Sequence, residues 1–112
     1  MLKKQVLKKI DLFQLYIVNR KSRFINEFDS NEDDEIYLDM IKFFDDIVYK
    51  VIVLKSKYDM SNKIDYNPIN TYLMAMNNGT HTSNHYKRTN LYRIKNKWMT
   101  IKQEINSLLG DD

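Results

Sequence analysis

Cysteine is absent from this chain of 112 residues, and glycine (two residues) and proline (one residue) are scarce. Without cysteine the chain has no disulfide framework, no cysteine-ligated zinc site and no thiol nucleophile. So few glycines and prolines argue against an all-β fold, which needs a turn roughly every ten residues. They also argue against a glycine-rich loop that would cradle phosphate. The composition therefore favours an all-α protein.

Long hydrophobic runs are absent as well. The longest apolar stretch covers residues 47–54, contains Lys50 and is far shorter than the roughly 20 residues of a membrane-spanning helix. Lysines and Asp11 interrupt the apolar residues at the start of the chain, so no signal-peptide core follows them. We therefore expect a cytoplasmic protein without membrane association.

The length and the hydrophobic content of the chain predict one packed domain over residues 1–112. Domains cluster around roughly 100–150 residues, and a hydrophobic content of 43% is typical of a chain that buries a core. Such a chain buries roughly two thirds of the surface that its unfolded form exposes. We therefore expect one core that needs neither metal nor cofactor.

The first helix is predicted over Leu2 to about Phe28. Apolar residues recur at helical spacing at Val6, Ile10, Phe13, Ile17 and Phe24, with no glycine or proline between them. This spacing keeps one side of a helix apolar. Further apolar residues, including Tyr16, widen that side.

The second helix is predicted to follow the acidic segment 29–35 and to reach about Tyr58. Ser30 or Asn31 is the expected N-cap, and the acidic residues after it suit the positive end of the helix dipole. The helix carries two adjacent apolar rows, one from Ile36 to Tyr58 and one from Tyr37 to Val48. So wide an apolar side is expected of the helix that packs between the other two long helices.

A short third helix and a long fourth helix complete the predicted fold. Asn67-Pro68 is a good helix start, with asparagine as the cap and proline in the first turn, and Asn77-Asn78-Gly79 ends the helix near Met76. The polar segment 77–90 is either a loop or the exposed beginning of the last helix. From Leu91 the apolar residues alternate three and four positions apart as far as Leu108, and Gly110 ends this helix. The fold class is therefore an antiparallel helical bundle of three long helices and one short helix.

Charge is distributed unevenly along the chain. Residues 1–29 carry a net charge of +4, residues 30–60 carry −4, and residues 61–112 carry +3. One interpretation is that oppositely charged neighbouring helices pack together, although each exposed ion pair contributes less than ~1 kcal/mol. The other is that the basic segments bind a negatively charged partner.

The sharper feature is the segment from residue 84 to residue 102, which contains no acidic residue. Its basic residues can neutralise phosphates, and its aromatic residues can stack on unpaired bases. The candidate binding residues are Lys87, Arg88, Arg93, Lys95, Lys97, Lys102, Asn84 and Tyr86. Six phosphate contacts would lower the affinity about a thousandfold between roughly 50 and 200 mM salt. The competing interpretation is a solvated helix face, with Trp98 buried in the core.

A second basic group lies on the first helix, with Lys3, Lys4, Lys8 and Lys9 near its start and Arg20, Lys21 and Arg23 further along. A helix-turn-helix beginning at Pro68 is disfavoured, because its second helix would offer only Tyr86 for packing between Thr80 and Asn90. His81 and His85 have the i, i+4 spacing of zinc ligands but no obvious third ligand. No nucleophile or dinucleotide motif is present.

These observations favour a non-enzymatic binding protein. The first hypothesis is a nucleic-acid-binding accessory or regulatory factor that uses the basic surface of the last helix. The second is a protein-interaction module that modulates an acidic host protein. A/T-rich codons encode most of the abundant residue types, which favours a phage or mobile element of a low-GC bacterium as its source. The third is a structural or assembly subunit that forms a homodimer.

Overall fold

The computed structural model describes residues 1–78 and 84–110. Four helices account for most of them: α1 (Leu2–Glu27), α2 (Asp34–Ser61), α3 (Asn67–Asn78) and α4 (His85–Leu109). The described ranges contain no β-strand. The prediction of an all-α bundle with three long helices and one short helix is confirmed. Two predictions fall outside the described residues. They are the end of the third helix at Gly79 and the position of His81, the other member of the histidine pair with the spacing of zinc ligands.

The apolar residues whose spacing predicted α1 and α4 lie in the core, together with residues of α2 and α3. On α1 the buried side chains are Val6, Ile10, Phe13, Ile17 and Phe24. On α4 the buried apolar side chains are Leu91, Ile94, Trp98, Ile101 and Ile105. The Phe13 and Trp98 rings lie 4.9 Å apart between centroids, so the expectation that Trp98 is a core residue is confirmed.

Helix α1 packs antiparallel against α2. The Lys55 ammonium lies 2.6 Å from the Asp11 carboxylate, and the Lys21 ammonium lies 2.7 Å from the Asp45 carboxylate. Residue 11 of α1 lies beside residue 55 of α2, and residue 21 lies beside residue 45, so the two helices run in opposite directions. The predicted attraction between a basic and an acidic helix is realised at this interface.

Helix α1 also packs antiparallel against α4, so α1, and not α2 as predicted, is the long helix that packs between the other two. Lys9 pairs with Glu104 at 3.2 Å, and Arg20 Nε donates to Asn90 Oδ1 at 2.9 Å. The wide apolar side of α2 is explained by its contacts with α1 and α3. The order around the bundle is therefore α1, α2, α3, α4, with each helix antiparallel to the next.

Helix α3 lies against α2 and α4. Tyr72 donates to Asp46 on α2 at 3.3 Å, and Tyr66, just before α3, donates to Asn106 on α4 at 2.8 Å. Trp98 Nε1 donates to Asn70 Oδ1 at 2.7 Å. This bond satisfies the polar atom of the indole, which is why Trp98 can be buried.

The predicted start of α2 was wrong by two or three residues. Its N-cap is Asp33, whose carboxylate accepts from the Glu35 N–H at 2.9 Å. Ser30 and Asn31 lie in the preceding turn, where the Asn31 N–H donates to Asp29 Oδ1. A carboxylate at the cap also interacts favourably with the helix dipole, and Asp33 therefore takes the capping position.

The other helix ends follow simple capping chemistry. Helix α3 begins at Asn67 instead of being capped by it, because the Asp65 carboxylate accepts from the Asn67 N–H at 3.0 Å. Asn84 caps α4 and accepts from the N–H groups of Tyr86 and Lys87. Gly110 ends α4 at φ 83°, a left-handed conformation that glycine adopts without steric cost. The predicted stop at Gly110 is confirmed.

Candidate nucleic-acid interface

The packing of α1 against α4 places two basic helices side by side. Helix α1 contains seven Lys/Arg residues and two acidic residues, and α4 contains six and one. The net charges of both helices are positive and repel one another, although the Lys9–Glu104 ion pair crosses this interface. It leaves a surface with basic side chains from both helices along the line where they meet.

A groove of about 650 Å³ lies on this surface, and we call it the α1–α4 groove. The side chains that line it are basic, aromatic or neutral polar, and none of the described lining residues is acidic. They are Tyr16 from α1 and Arg88, Thr89, Tyr92, Arg93, Asn96, Lys97 and Thr100 from α4.

The spacing along α4 explains why these side chains share one side of the helix. Arg93 and Lys97 are four residues apart, as are Tyr92 and Asn96, so each pair lies about one turn apart along the helix. Ile94 and Trp98 point from the opposite side into the core. The groove therefore carries a basic row and, next to it, a row that can contact bases.

Helix α1 adds a further cation near the groove. Arg20 donates to Asn90, and the buried Asn90 side chain donates in turn to the Tyr86 carbonyl oxygen at 2.8 Å. Partial burial lowers the pKa of Arg20, and the positive charges of Arg93 and Arg23 lower it further. The Arg20 guanidinium, bonded to Asn90 on α4, therefore lies at the interface between α1 and α4.

Tyr16 and Lys97 join the two sides of the groove. The Lys97 ammonium lies 5.6 Å from the centre of the Tyr16 ring, within the range of a cation–π contact. This contact holds Lys97 towards α1 while the residue still lines the groove. The positive charge of Lys97 therefore has a defined position in the groove.

Three of the eight predicted residues line the groove, namely Arg88, Arg93 and Lys97. Lys95 is partly buried on α4 and is not part of the lining. Lys102 reaches α3, where its ammonium lies 3.3 Å from Asn70 Oδ1. Half of the basic residues that were predicted from the segment therefore line the groove.

Lys87 contacts α2 instead of the groove. Its ammonium lies 2.8 Å from the Asp39 carboxylate and 5.8 Å from the centre of the Phe43 ring. Its side chain is only 14% exposed. A lysine so enclosed is a partner for the acidic helix and is poorly placed to contact a ligand.

Tyr86 and Asn84 stabilise the beginning of α4. The Tyr86 ring packs against Phe24 and Phe28, and its hydroxyl donates to Glu32 Oε1 at 3.1 Å. Burial, followed by the effect of Glu32, raises the pKa of the Tyr86 hydroxyl. Asn84 supplies the N-cap. Both side chains are therefore occupied by contacts within the fold.

Sequence reasoning missed Tyr16 as a groove residue and only grouped Arg20 with other basic residues. Both lie beside the buried row of α1: Tyr16 is three residues after Phe13, and Arg20 is three residues after Ile17 and four before Phe24. Their placement next to α4 depends on which helices are neighbours, which residue spacing within one helix does not encode. In the second basic group, Lys3, Lys9 and Lys21 pair with acidic residues instead.

Two further observations concern membrane-spanning helices and metal sites. Within residues 1–78 and 84–110, no helix is both long enough and apolar enough to cross a membrane. The same residues contain no cluster of three His, Asp or Glu side chains that could hold a metal ion. His85, the described member of the predicted histidine pair, lies against the Tyr86 ring.

Comparison of the chain with protein-family models, with curated proteins and with solved structures finds no match. A functional conclusion therefore depends on the chemistry of the α1–α4 groove.

Proposed function

We propose that this protein is a non-enzymatic nucleic-acid-binding accessory or regulatory factor, and that the α1–α4 groove is its binding surface. The observation that carries the proposal is a groove of about 650 Å³ lined by Arg88, Arg93 and Lys97, with no acidic residue among its described lining side chains. Cations collected in a concave surface attract a polyanion and release its condensed counterions. Tyr92 and Asn96 beside them offer stacking and hydrogen bonding to bases.

The chemistry of the lining favours binding over catalysis. The described lining side chains are arginine, lysine, tyrosine, threonine and asparagine. A general acid or base works best when its pKa lies near neutral pH, and none of these side chains ordinarily titrates there. Arginine instead forms strong paired hydrogen bonds with phosphate.

The number of phosphate contacts is expected to be smaller than the whole basic segment suggests. Lys87, Lys95 and Lys102 lie outside the lining of the groove. Arg88, Arg93 and Lys97, together with the neighbouring Arg20, give three or four contacts. For a single strand, each contact contributes about −0.7 to the slope of log affinity against log salt.

The test is a salt series of fluorescence-anisotropy titrations with labelled single-stranded and duplex oligonucleotides. We expect the affinity for a single strand to fall about twenty- to fiftyfold between roughly 50 and 200 mM salt, as three or four contacts require. Absence of binding at the lower salt concentration to every oligonucleotide, or binding that does not change with salt, would contradict the proposed function.

A second candidate function, an assembly subunit that pairs with another copy of itself, is favoured by a different face of the bundle. Helix α1 carries a partly exposed apolar stripe, Leu15, Val18 and Ile25. Asp11 lies on the same side of the helix, four residues before Leu15. Helix α2 carries a matching stripe around Asp45, at three- and four-residue spacing: Leu38, Ile41, Val48 and Ile52. Ile41 and Val48 are partly buried against the core, and the other apolar residues of the two stripes are exposed.

The two stripes lie side by side, because Asp11 pairs with Lys55 on α2 and Asp45 pairs with Lys21 on α1. The face therefore carries apolar side chains together with charges of both signs. A two-fold dimer brings the same surface together with itself, and a face with charges of both signs can place opposite charges across the two-fold axis. A second copy of the chain is the partner that this face fits.

Sedimentation velocity tests this second candidate. We expect a concentration-dependent dimer that Leu15→Glu combined with Ile52→Glu converts to a monomer, because each carboxylate would be desolvated in the interface. Met60→Glu combined with Met74→Glu is the matched control, since both methionines are exposed elsewhere on the bundle. A protein that is monomeric at all concentrations would contradict the candidate.

A further inference from the structure

Tyr92 is the most exposed aromatic side chain of the α1–α4 groove. It is 70% exposed, whereas Tyr16 is partly buried and has the Lys97 ammonium over its ring. Burying an aromatic ring is favourable, so a tyrosine that stays in solvent beside three cations leaves an apolar face for a ligand. Unpaired bases stack on such rings.

The two rows of α4 match the repeat of a single nucleic-acid strand. Arg93 and Lys97 are four residues apart, which corresponds to about 6 Å along the helix. This distance is close to the separation of successive phosphates along an extended single strand. Tyr92 and Asn96 have the same spacing on the adjacent row. A base stacked on Tyr92 and the edge of the next base at Asn96 are therefore separated by about the same distance as the two phosphates.

The arrangement is less suited to duplex DNA. Proteins that read a duplex with a helix insert that helix into the major groove, which requires a projecting helix. Here α4 packs along α1, and Tyr16 from α1 lines the same groove as Arg93 and Lys97. In a duplex the faces of the bases are already stacked on one another and are not available to Tyr92.

We infer that the ligand of the α1–α4 groove is single-stranded nucleic acid, with successive phosphates at Arg93 and Lys97 and one base stacked on Tyr92. This inference rests on the proposed function and specifies its substrate class. Asn96, one turn beyond Tyr92, has the donor and acceptor groups to bond the edge of the next base. Because every base has a face that can stack, binding is expected to tolerate many sequences.

The test compares the full chain with its Tyr92→Ala, Tyr92→Phe and Tyr49→Ala variants by fluorescence anisotropy at low salt. The probes are a labelled strand of about twelve nucleotides, as DNA and as RNA, and the duplex of the same DNA sequence. Tyr49 is the matched control because it is 67% exposed but lies on α2. Circular dichroism verifies that each variant remains helical.

We expect at least one of the single strands to bind about tenfold or more tightly than the duplex. Tyr92→Ala is expected to weaken binding of that strand about five- to a hundredfold, as the loss of one stacked base requires. Tyr49→Ala is expected to leave it unchanged, and Tyr92→Phe is expected to restore most of it because phenylalanine keeps the ring.

Two results would overturn the inference, and each is distinguishable from failure of the proposed function. One is duplex binding as tight as that of both single strands, and the other is a Tyr92→Ala variant that binds like Tyr49→Ala. If Arg93→Glu combined with Lys97→Glu still removes binding in either case, the groove binds nucleic acid but not in the single-stranded mode. Failure of every probe to bind the unaltered protein would overturn both proposals.

Discussion

Truncation of Phe13 to alanine is expected to lower the free energy of unfolding by about 3–5 kcal/mol. Phe13 is fully buried on α1, and its ring lies 4.9 Å from that of Trp98 on α4. Because α1 contacts both α2 and α4, a cavity at this position weakens the central packing of the bundle. Small domains are stable by only about 5–15 kcal/mol, so this single change removes a large share of the stability.

Urea denaturation followed by circular dichroism measures this effect. The control is Leu12→Ala, one position away on the same helix but about half exposed, for which we expect a change within about 0.5 kcal/mol. The comparison holds helix propensity nearly constant, since both variants place alanine in α1. A loss below about 1 kcal/mol for Phe13→Ala would contradict the placement of α1 at the centre of the core.

The sequence was sufficient to predict the helices because their apolar spacing is regular. The three- and four-residue alternation from Leu91 to Leu108 correctly predicted that Ile94 and Trp98 are buried and that Arg93 and Lys97 are not part of the core. Gly110 was correctly predicted as the end of α4. Burial along a helix and the end of a helix both depend on residues that are close together in the sequence.

The neighbours of each helix could not be predicted in the same way. The wide apolar side of α2 suggested that α2 was central, whereas α1 packs against both α2 and α4. Apolar width reports how much of a helix is covered but not which helices cover it. The two basic helices therefore meet at a groove that segment charges alone did not indicate.

The roles of individual basic residues depend on contacts between distant parts of the chain. Lys87 pairs with Asp39, 48 residues earlier, and Tyr86 donates to Glu32, 54 residues earlier. In the sequence both residues look the same as their neighbours in the basic segment. Only the contacts of the first turn of α4 with α2 and with the turn before α2 distinguish them from Arg93 and Lys97.

Reversal of two groove charges, Arg93→Glu with Lys97→Glu, is expected to lower the affinity for nucleic acid by about a hundredfold or more. A hydrogen bond to a charged group contributes about 1.5–3 kcal/mol, so the loss of two such bonds accounts for this factor. Both residues lie away from the buried row of α4, so the helical signal is expected to remain. The salt slope is also expected to fall by about 1.4, because two of the three or four phosphate contacts are lost.

Lys57→Glu combined with Lys63→Glu is the matched control for this variant. Both lysines are exposed, and neither lines the α1–α4 groove. The two double variants change the net charge of the protein by the same amount. The control therefore separates an effect of the groove from a general loss of attraction to a polyanion.

The most direct test of the binding groove is the ratio of the two affinities, measured by anisotropy with the same single-stranded probe at low salt. We predict that the groove variant binds at least about tenfold more weakly than the control variant, because the control loses only long-range attraction. Equal affinities of the two variants would contradict the assignment of nucleic-acid binding to the α1–α4 groove.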